Sequence, residues 1–412
     1  MKKINVDVAV IGGGSAGMAS ALKANENGVS VAIIERENRL GGILNQCIHN
    51  GFGLNYFKKE LTGPEYAQIF IEKVEKSNIK VYLSTTVLKI ENHFEITVIN
   101  DSGLFKIIAK SIILATGCRE RPSGAISLCG SRPAGVISAG SAQKFVNIYG
   151  KMIGKNVVIV GSGDIGLIMA RRLRYEGANV IGVYEIMSYP SGLKRNIVQC
   201  LDDYNIPLHL SKTVVEVVGK DRVEGVYVAP VKSDFSFDLT KKELIPCDAV
   251  VLSIGLMPEN DIAIKFGVKQ NAITGGAVVD EFLQTSIDGI FACGNGLHVH
   301  DIVDNVSKES ERAGENSAKF VKNSLSRGTS LFIKNGFGVR YVNPSFFYEG
   351  DGLLNINFRV SNVFKNAEIL VTENGKIIRE IKKNILLPAE METVILSKNG
   401  LSHDIEVFIK TN

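Results

Sequence analysis

The sequence predicts an α/β protein: two parallel-sheet units of strand–helix–strand type, followed by a small antiparallel β-domain. Three observations predict it. A strand, a glycine turn and a helix open the chain, the same unit returns at Asn156, and from Gly336 the texture changes to strand alternation.

The first unit, VDVAVIGGGSAGMASALKANENGVSVAIIE, spans residues 6–35. Gly12, Gly14 and Gly17 hold the GxGxxG positions. They serve a tight turn, the approach of a pyrophosphate to the backbone, and close packing of helix on strand. Ser15 and Ala16 start a helix whose unpaired N–H groups and positive dipole end suit phosphates. Glu35 closes the second strand, 23 residues beyond Gly12, where a carboxylate can bond both ribose hydroxyls; Arg36 follows it.

The second unit, NVVIVGSGDIGLIMARRLRYEGANVIGVYE, spans residues 156–185. Gly161, Gly163 and Gly166 repeat the fingerprint, Asp164 and Ile165 head the helix, and Glu185 lies 24 residues after Gly161. Asp164 is expected to cap that helix while adding negative charge near a phosphate. Similar punctuation follows both units. After the first come TTVLKI, a polar meander and SIILATG; after the second come KTVVEV, another meander and AVVLSIG, which ends at Gly255. Two dinucleotide sites in one chain suggest that electrons pass between them, one site for a flavin and one for a nicotinamide. Glu185 is followed by Ile186 and no arginine, so its carboxylate should repel a 2′-phosphate, and NAD(H) is expected over NADP(H).

Composition excludes several classes. Net charge is +4 with no basic block, which argues against nucleic acid. No apolar run approaches the roughly 18 residues of a membrane span, and MKKINVDVAVIGGG reads as a strand entering a turn rather than a signal peptide. Six scattered cysteines (Cys47, Cys118, Cys129, Cys200, Cys247 and Cys293) show neither CxxC nor zinc spacing. They suit a reducing cytoplasm, and no metal or iron–sulfur site is expected.

In combination these motifs, with TSIDGIFACGN (285–295), resemble the two-dinucleotide flavoproteins of the pyridine nucleotide–disulfide oxidoreductase superfamily. The resemblance covers about residues 4–325. It implies a three-layer, glutathione-reductase-like fold of two Rossmann-like domains. An FAD domain takes residues 1–118 and 257–330, an NAD(H) domain residues 119–256, and the β-domain residues 336–412. It also implies that Gly42, Ala115, Thr116, Gly117, Gly294 and Asn295 adjoin the FAD, and that the last helix aims its N-terminus at the flavin. Asn295 stands where the family usually has aspartate and offers a carbonyl acceptor without charge. The superfamily's CxxxxC pair is missing, because only Cys47 follows the glycine pair, so a dithiol disulfide reductase is not expected.

GGILNQCIHNGFGLNYFKKELTGPEYA (41–67), SRPAGVISAGSAQ (131–143) and CGNGLHVHDIVD (293–304) are similar to the FAD/NAD oxidoreductases that accompany an anaerobic glycerol-3-phosphate dehydrogenase and a small cysteine-rich protein. That group is related to opine and sarcosine oxidase subunits. The resemblance implies two partners, a small cysteine-rich protein and a dehydrogenase subunit. Nothing in the chain resembles a glycerol 3-phosphate pocket, so dehydrogenation is expected on another chain.

Four residues are candidates for chemistry: Cys47, His49, His298 and His300. Cys47 has three readings: lining against the flavin ring, tuning it as a thiolate, or turning over through sulfenic acid. Cys47 and His49 share one side if the segment is a strand; a loop or helix start is the alternative. His298 and His300 head the final helix and either serve the flavin or cap the helix. The self-contained alternatives are an NADH oxidase or peroxidase using Cys47, or a non-catalytic flavin-bearing subunit. In the tail, Leu354, Ile356, Phe358 and Val360 alternate, and Asn374–Gly375 between EILVT and KIIRE signals a hairpin. The β-domain carries no visible chemistry and reads as docking or capping; the sequence sets no oligomeric state.

Overall fold

Four-residue runs buried on both faces, all Val, Ile, Ala or Leu except Ser111, make strands β1 (Val8–Ile11), β2 (Val31–Ile34) and β4 (Ser111–Leu114). In the computed structural model, which describes residues 2–411, these form a five-stranded parallel sheet with β3 (Lys80–Tyr82) and β10 (Ile290–Ala292). The order is β10-β4-β1-β2-β3. Helix α1 (Ser15–Glu26) follows β1, and α2 (Gly63–Glu75) starts on a capping box between Thr62 and Glu65.

Residues 119–257 form a second compact unit; residues 1–118 and 258–412 form the first. The second unit repeats the sheet with β5 (Val136–Ser138), β6 (Asn156–Val160), β7 (Asn179–Glu185), β8 (Leu208–Leu210) and β9 (Ala249–Leu252), in the order β5-β9-β6-β7-β8. Helix α3 (Asp164–Tyr175) connects β6 to β7. All strand pairs in both sheets are parallel. The two sheets differ in their edge strand. In the second unit it precedes the repeat, whereas in the first it comes from the chain's return as β10, which then leads to α4 (Val303–Val321).

Helix α4 packs against α1 through small residues. A Cβ at Gly314 would lie 2.2 Å from the Ser20 carbonyl oxygen, so only glycine permits the approach. The β-domain begins at Ser330, with β11 (Ser330–Asn335), β12 (Val339–Asn343), β13 (Phe346–Tyr348), β14 (Leu353–Val360), β15 (Phe364–Glu373), β16 (Lys376–Leu386), β17 (Glu392–Ser397) and β18 (Ile405–Thr411). Two sheets, β13-β11-β18-β15-β16 and β12-β14-β17, enclose one apolar core. Leu354, Ile356, Phe358 and Val360 all face that core. Asn374 and Gly375 turn the β15–β16 hairpin with φ of 49° and 76°, the positive pair such a turn needs. Among the described residues no helix is long and apolar enough to cross a membrane.

Candidate functional site

At the head of the first unit the turn after β1 leaves no room for side chains. Gly12 has φ 108°, and a Cβ there would lie 2.3 Å from the Ala115 carbonyl oxygen. Beyond it, α1 opens at Gly14 with no side-chain cap and no acid in its first turn, so its N–H groups stay available to an anion. Gly41 donates its N–H to the Gly13 carbonyl at 2.9 Å, and Gly42 comes within contact of Gly14, so the glycine pair folds over the turn.

The return turn Gly294–Gly296 comes up against both α1 and the Ala115–Gly117 segment. A Cβ on Gly294 would lie 2.7 Å from Ala16, and one on Gly296 would lie 2.9 Å from the Thr116 hydroxyl. That hydroxyl oxygen is buried without a hydrogen-bond partner. Glu35 is buried; one oxygen accepts from the Gly13 N–H at 2.6 Å and the other from Glu37 at 2.8 Å. Each oxygen keeps a second lone pair, so a ribose diol can still be bound. Arg36 beside it is exposed. An uncapped helix head, an orphan hydroxyl and side-chain-free turns at Gly12, Gly294 and Gly296 fit a dinucleotide with its pyrophosphate at α1.

The second unit repeats this turn. Gly161 has φ 86°, and a Cβ would lie 2.2 Å from the Ser253 carbonyl oxygen, so Ser253–Gly255 stand where Ala115–Gly117 stand in the first unit. Here the surroundings are fuller. Ser253 Oγ takes the Gly166 N–H at 3.1 Å. Glu185 is buried and accepts from the Ser162 N–H at 2.9 Å, the Ser162 and Ser191 hydroxyls, and the Met187 N–H at 2.9 Å.

Asp164 corrects the expectation of a cap. Gly163 is the N-cap residue, and the Asp164 carboxylate instead accepts from the Leu193 N–H at 2.8 Å and the Asn196 amide at 2.7 Å. Its first-turn position points it sideways, where it pins the segment after β7. Ile165 and Gly163 remain partly exposed, and Gly255 is exposed.

Cys47 lies just beyond a 3₁₀ turn (Gly42–Gln46) and not in a strand. Its thiol donates to the Ile43 carbonyl at 3.3 Å, while its own carbonyl accepts the Gly63 N–H at 2.8 Å. His49 packs against Phe52, ring centroids 5.0 Å apart, with Nδ1 3.0 Å from the Asn50 carbonyl. The loop beyond is held by Asp304 in the first turn of α4, which accepts from the N–H groups of Gly53, Asn55 and Tyr56.

His298 and His300 precede α4, which starts at Val303, so neither caps it. Both are buried and direct Nε2 at one carboxylate, Glu309, at 2.7 and 3.1 Å. Burial pushes the Glu309 carboxyl up, but His300 and His298 outweigh it and hold it well below the ordinary range. Burial also lowers His298, so the imidazole stays neutral and donates to an ionised carboxylate. Glu309 additionally accepts the Gly294 N–H at 2.9 Å. Sequence reasoning passed over Glu309, because a lone acid in an amphipathic helix carries no local signal.

These three side chains bring ligand atoms within 4.8 Å of one another, close enough for a metal ion. Both Nδ1 atoms are buried without partners, however. Ligation through Nε2 would turn them into unsatisfied N–H donors, whereas donation to Glu309 leaves them as bare acceptors. The hydrogen-bonded triad is the better fit. The Asn295 side-chain carbonyl accepts the His300 N–H at 3.0 Å and keeps one lone pair, beside its amide donors, for a ligand.

Two glycine turns, each with a carboxylate closing the second strand, give the chain the two-dinucleotide architecture. Residues 6–315 match the family described as pyridine nucleotide-disulphide oxidoreductase, and the chain belongs to it. Hydrogen cyanide synthase subunit HcnB of Pseudomonas protegens is 26% identical over 290 residues, 65% of this chain and 60% of that protein. An NADH oxidase of Methanocaldococcus jannaschii is 27% identical over 310 residues, 71% of this chain and 64% of that protein. An opine oxidase subunit of Agrobacterium tumefaciens is 24% identical over 330 residues, 71% of this chain and 61% of that protein. The match thus spans under two thirds of each relative's length. A T. acidophilum thioredoxin reductase structure shares the fold, with TM-score 0.64 and 23% identity over 78% of this chain and 99% of that one. The β-domain lies beyond the residues that the family pattern matches.

Proposed function

We propose that this chain binds FAD in its first unit and NADH in its second, and passes electrons between NAD(H) and a partner dehydrogenase of glycerol-3-phosphate type. The observation that carries it is the pair of open glycine turns, each backed by a buried carboxylate. FAD, when bound, supplies hydride exchange with the nicotinamide and onward electron transfer.

The chain's own residues bind and orient. Gly12, Gly14, Ser15, Ala16 and Gly17 take the FAD pyrophosphate, Glu35 and Arg36 the ribose end, and Gly42, Ala115–Gly117, Gly294 and Asn295 the rest. Gly161, Gly163, Asp164, Ile165, Gly166 and Gly255 frame the NADH, and Glu185, which closes the second strand, disfavours a 2′-phosphate. No second cysteine follows Cys47 before Cys118, which supports electron transfer over dithiol chemistry. Two of the relatives are named as subunits, which supports action within a complex, with a small cysteine-rich protein as a further carrier. The free, unpatterned thiols support a cytoplasmic placement.

The test is an anaerobic NADH titration followed by flavin absorbance, with NADPH alongside. Bleaching complete at about one NADH per FAD supports a single two-electron centre; no bleaching overturns the nicotinamide assignment. The NADH oxidase relative favours a second reading in which Cys47 turns over. Rapid NADH consumption under air, abolished in Cys47→Ser, would establish it.

A further inference from the structure

The return segment that carries the Gly294–Gly296 turn is gripped by the β-domain at both ends. Ahead of β10, the buried Glu281 accepts from Lys398 Nζ at 2.8 Å and from the Tyr348 N–H at 2.9 Å. Asp280 accepts from the Tyr348 hydroxyl at 3.3 Å, and Phe282 stacks on the Tyr348 ring. Beyond the turn, Arg359 of β14 reaches the Asp301 carboxylate and the Val299 carbonyl with one nitrogen, and the Pro388 and Ala389 carbonyls with the other. The Met391 N–H closes on the second Asp301 oxygen at 2.7 Å.

Val299 lies between His298 and His300, and Tyr341 of β12 stands edge-on to His298. The two imidazoles converge on Glu309, and Glu309 holds the Gly294 N–H. The His300 N–H fixes the Asn295 side chain. A path of buried, mostly charge-assisted bonds therefore runs from Arg359 through residues 298–301 and Glu309 to the turn. That turn is a single 3₁₀ segment of three residues. Such a short piece has little rigidity of its own and takes its geometry from what holds it.

We propose that the β-domain is a built-in brace of the flavin turn, with Arg359 and Glu309 as positioning residues that set Gly294 and Asn295 for FAD without touching it. The inference rests on the assignment of the first unit to FAD. A detachable docking module would present a thin polar contact with the body of the protein. This one instead buries an ion pair and an arginine fork on the segment that bears the turn.

The test is a double-mutant cycle on the full chain, stripped of FAD and titrated with FAD by quenching of flavin fluorescence. Arg359→Lys keeps the charge and loses the fork; Glu309→Gln keeps the shape and must forfeit at least one of its three donors. Each should raise the FAD Kd about tenfold, and the double variant should rise little further, because both cut one path. The melting midpoint of each stripped variant is recorded alongside, since a merely structural role would lower that midpoint without coupling in Kd. Should Glu309→Gln fail to fold, His300→Gln replaces it in the cycle. FAD Kd values within about twofold of wild type in both single variants, or effects that multiply fully, would overturn the brace. A wild-type chain that takes up no FAD would instead overturn the flavin assignment beneath it.

Discussion

The two dinucleotide units share the close approach of the first fingerprint glycine to a carbonyl, Gly12 to Ala115 and Gly161 to Ser253, and differ in what surrounds it. In the first, the helix head carries no acid, and Glu35 accepts one backbone N–H on each oxygen. In the second, Asp164 sits in the first helical turn and ties down residues 193–196, and Glu185 already accepts from two serine hydroxyls and two backbone N–H groups. The first unit also has the β-domain clamped behind its return segment. The lesson is that a fingerprint sets the turn, while side chains far away in sequence set how much of the binding capacity is left for a ligand. A braced, open cradle suits a cofactor that stays; a fuller site suits one that comes and goes.

The sharpest way to break this comparison is to place a methyl in each turn. Gly12→Ala would force a Cβ to 2.3 Å from the Ala115 oxygen at a positive φ, and the purified protein should come out nearly colourless. Gly161→Ala makes the same clash in the second unit; its flavin absorbance should persist while the Kd for NADH rises ~100-fold, or ~3 kcal/mol. If both variants lose flavin alike, the division of labour between the units is wrong.

A smaller effect separates the braced unit from the other. Burial pushes the Asp280 carboxyl up to about 6 from 3.8, so the folded chain keeps a proton that the unfolded chain releases. Stability from this group is fully present below pH 3.8 and is lost as pH rises through about 6, by ~3 kcal/mol. Asp280→Asn should therefore flatten the fall in melting midpoint between pH 4 and pH 6; an unchanged slope would refute it. Glu185→Gln removes charge and keeps shape, and the NADPH-to-NADH preference should rise ~10-fold in steady-state reduction. Cys47→Ser should change least: NADH equivalents per flavin stay at about one in wild type and variant, and a second equivalent in wild type that the variant loses would replace lining or tuning with turnover.

Much of this molecule was legible along the chain. Fully apolar runs beside GxGxxG can only be buried parallel strands feeding a helix, so both units, their carboxylates and the closing ATG and SIG segments follow from local pattern. The Asn374–Gly375 hairpin and the alternation of Leu354 to Val360 follow the same way, because turn type and strand face are short-range properties. What only the tertiary structure decided is where long-range polar atoms meet. Asp164 turns from cap to clamp because Leu193 and Asn196 return beside it. Asn295 gives its carbonyl to His300, and Glu309 gathers two imidazoles and a backbone N–H from residues up to 15 positions away. The β-domain becomes a brace through Arg359 and Lys398, residues with no motif around them. Backbone conformation is biased by neighbouring residues, but the partner of a buried charge is chosen by packing, which no local pattern records.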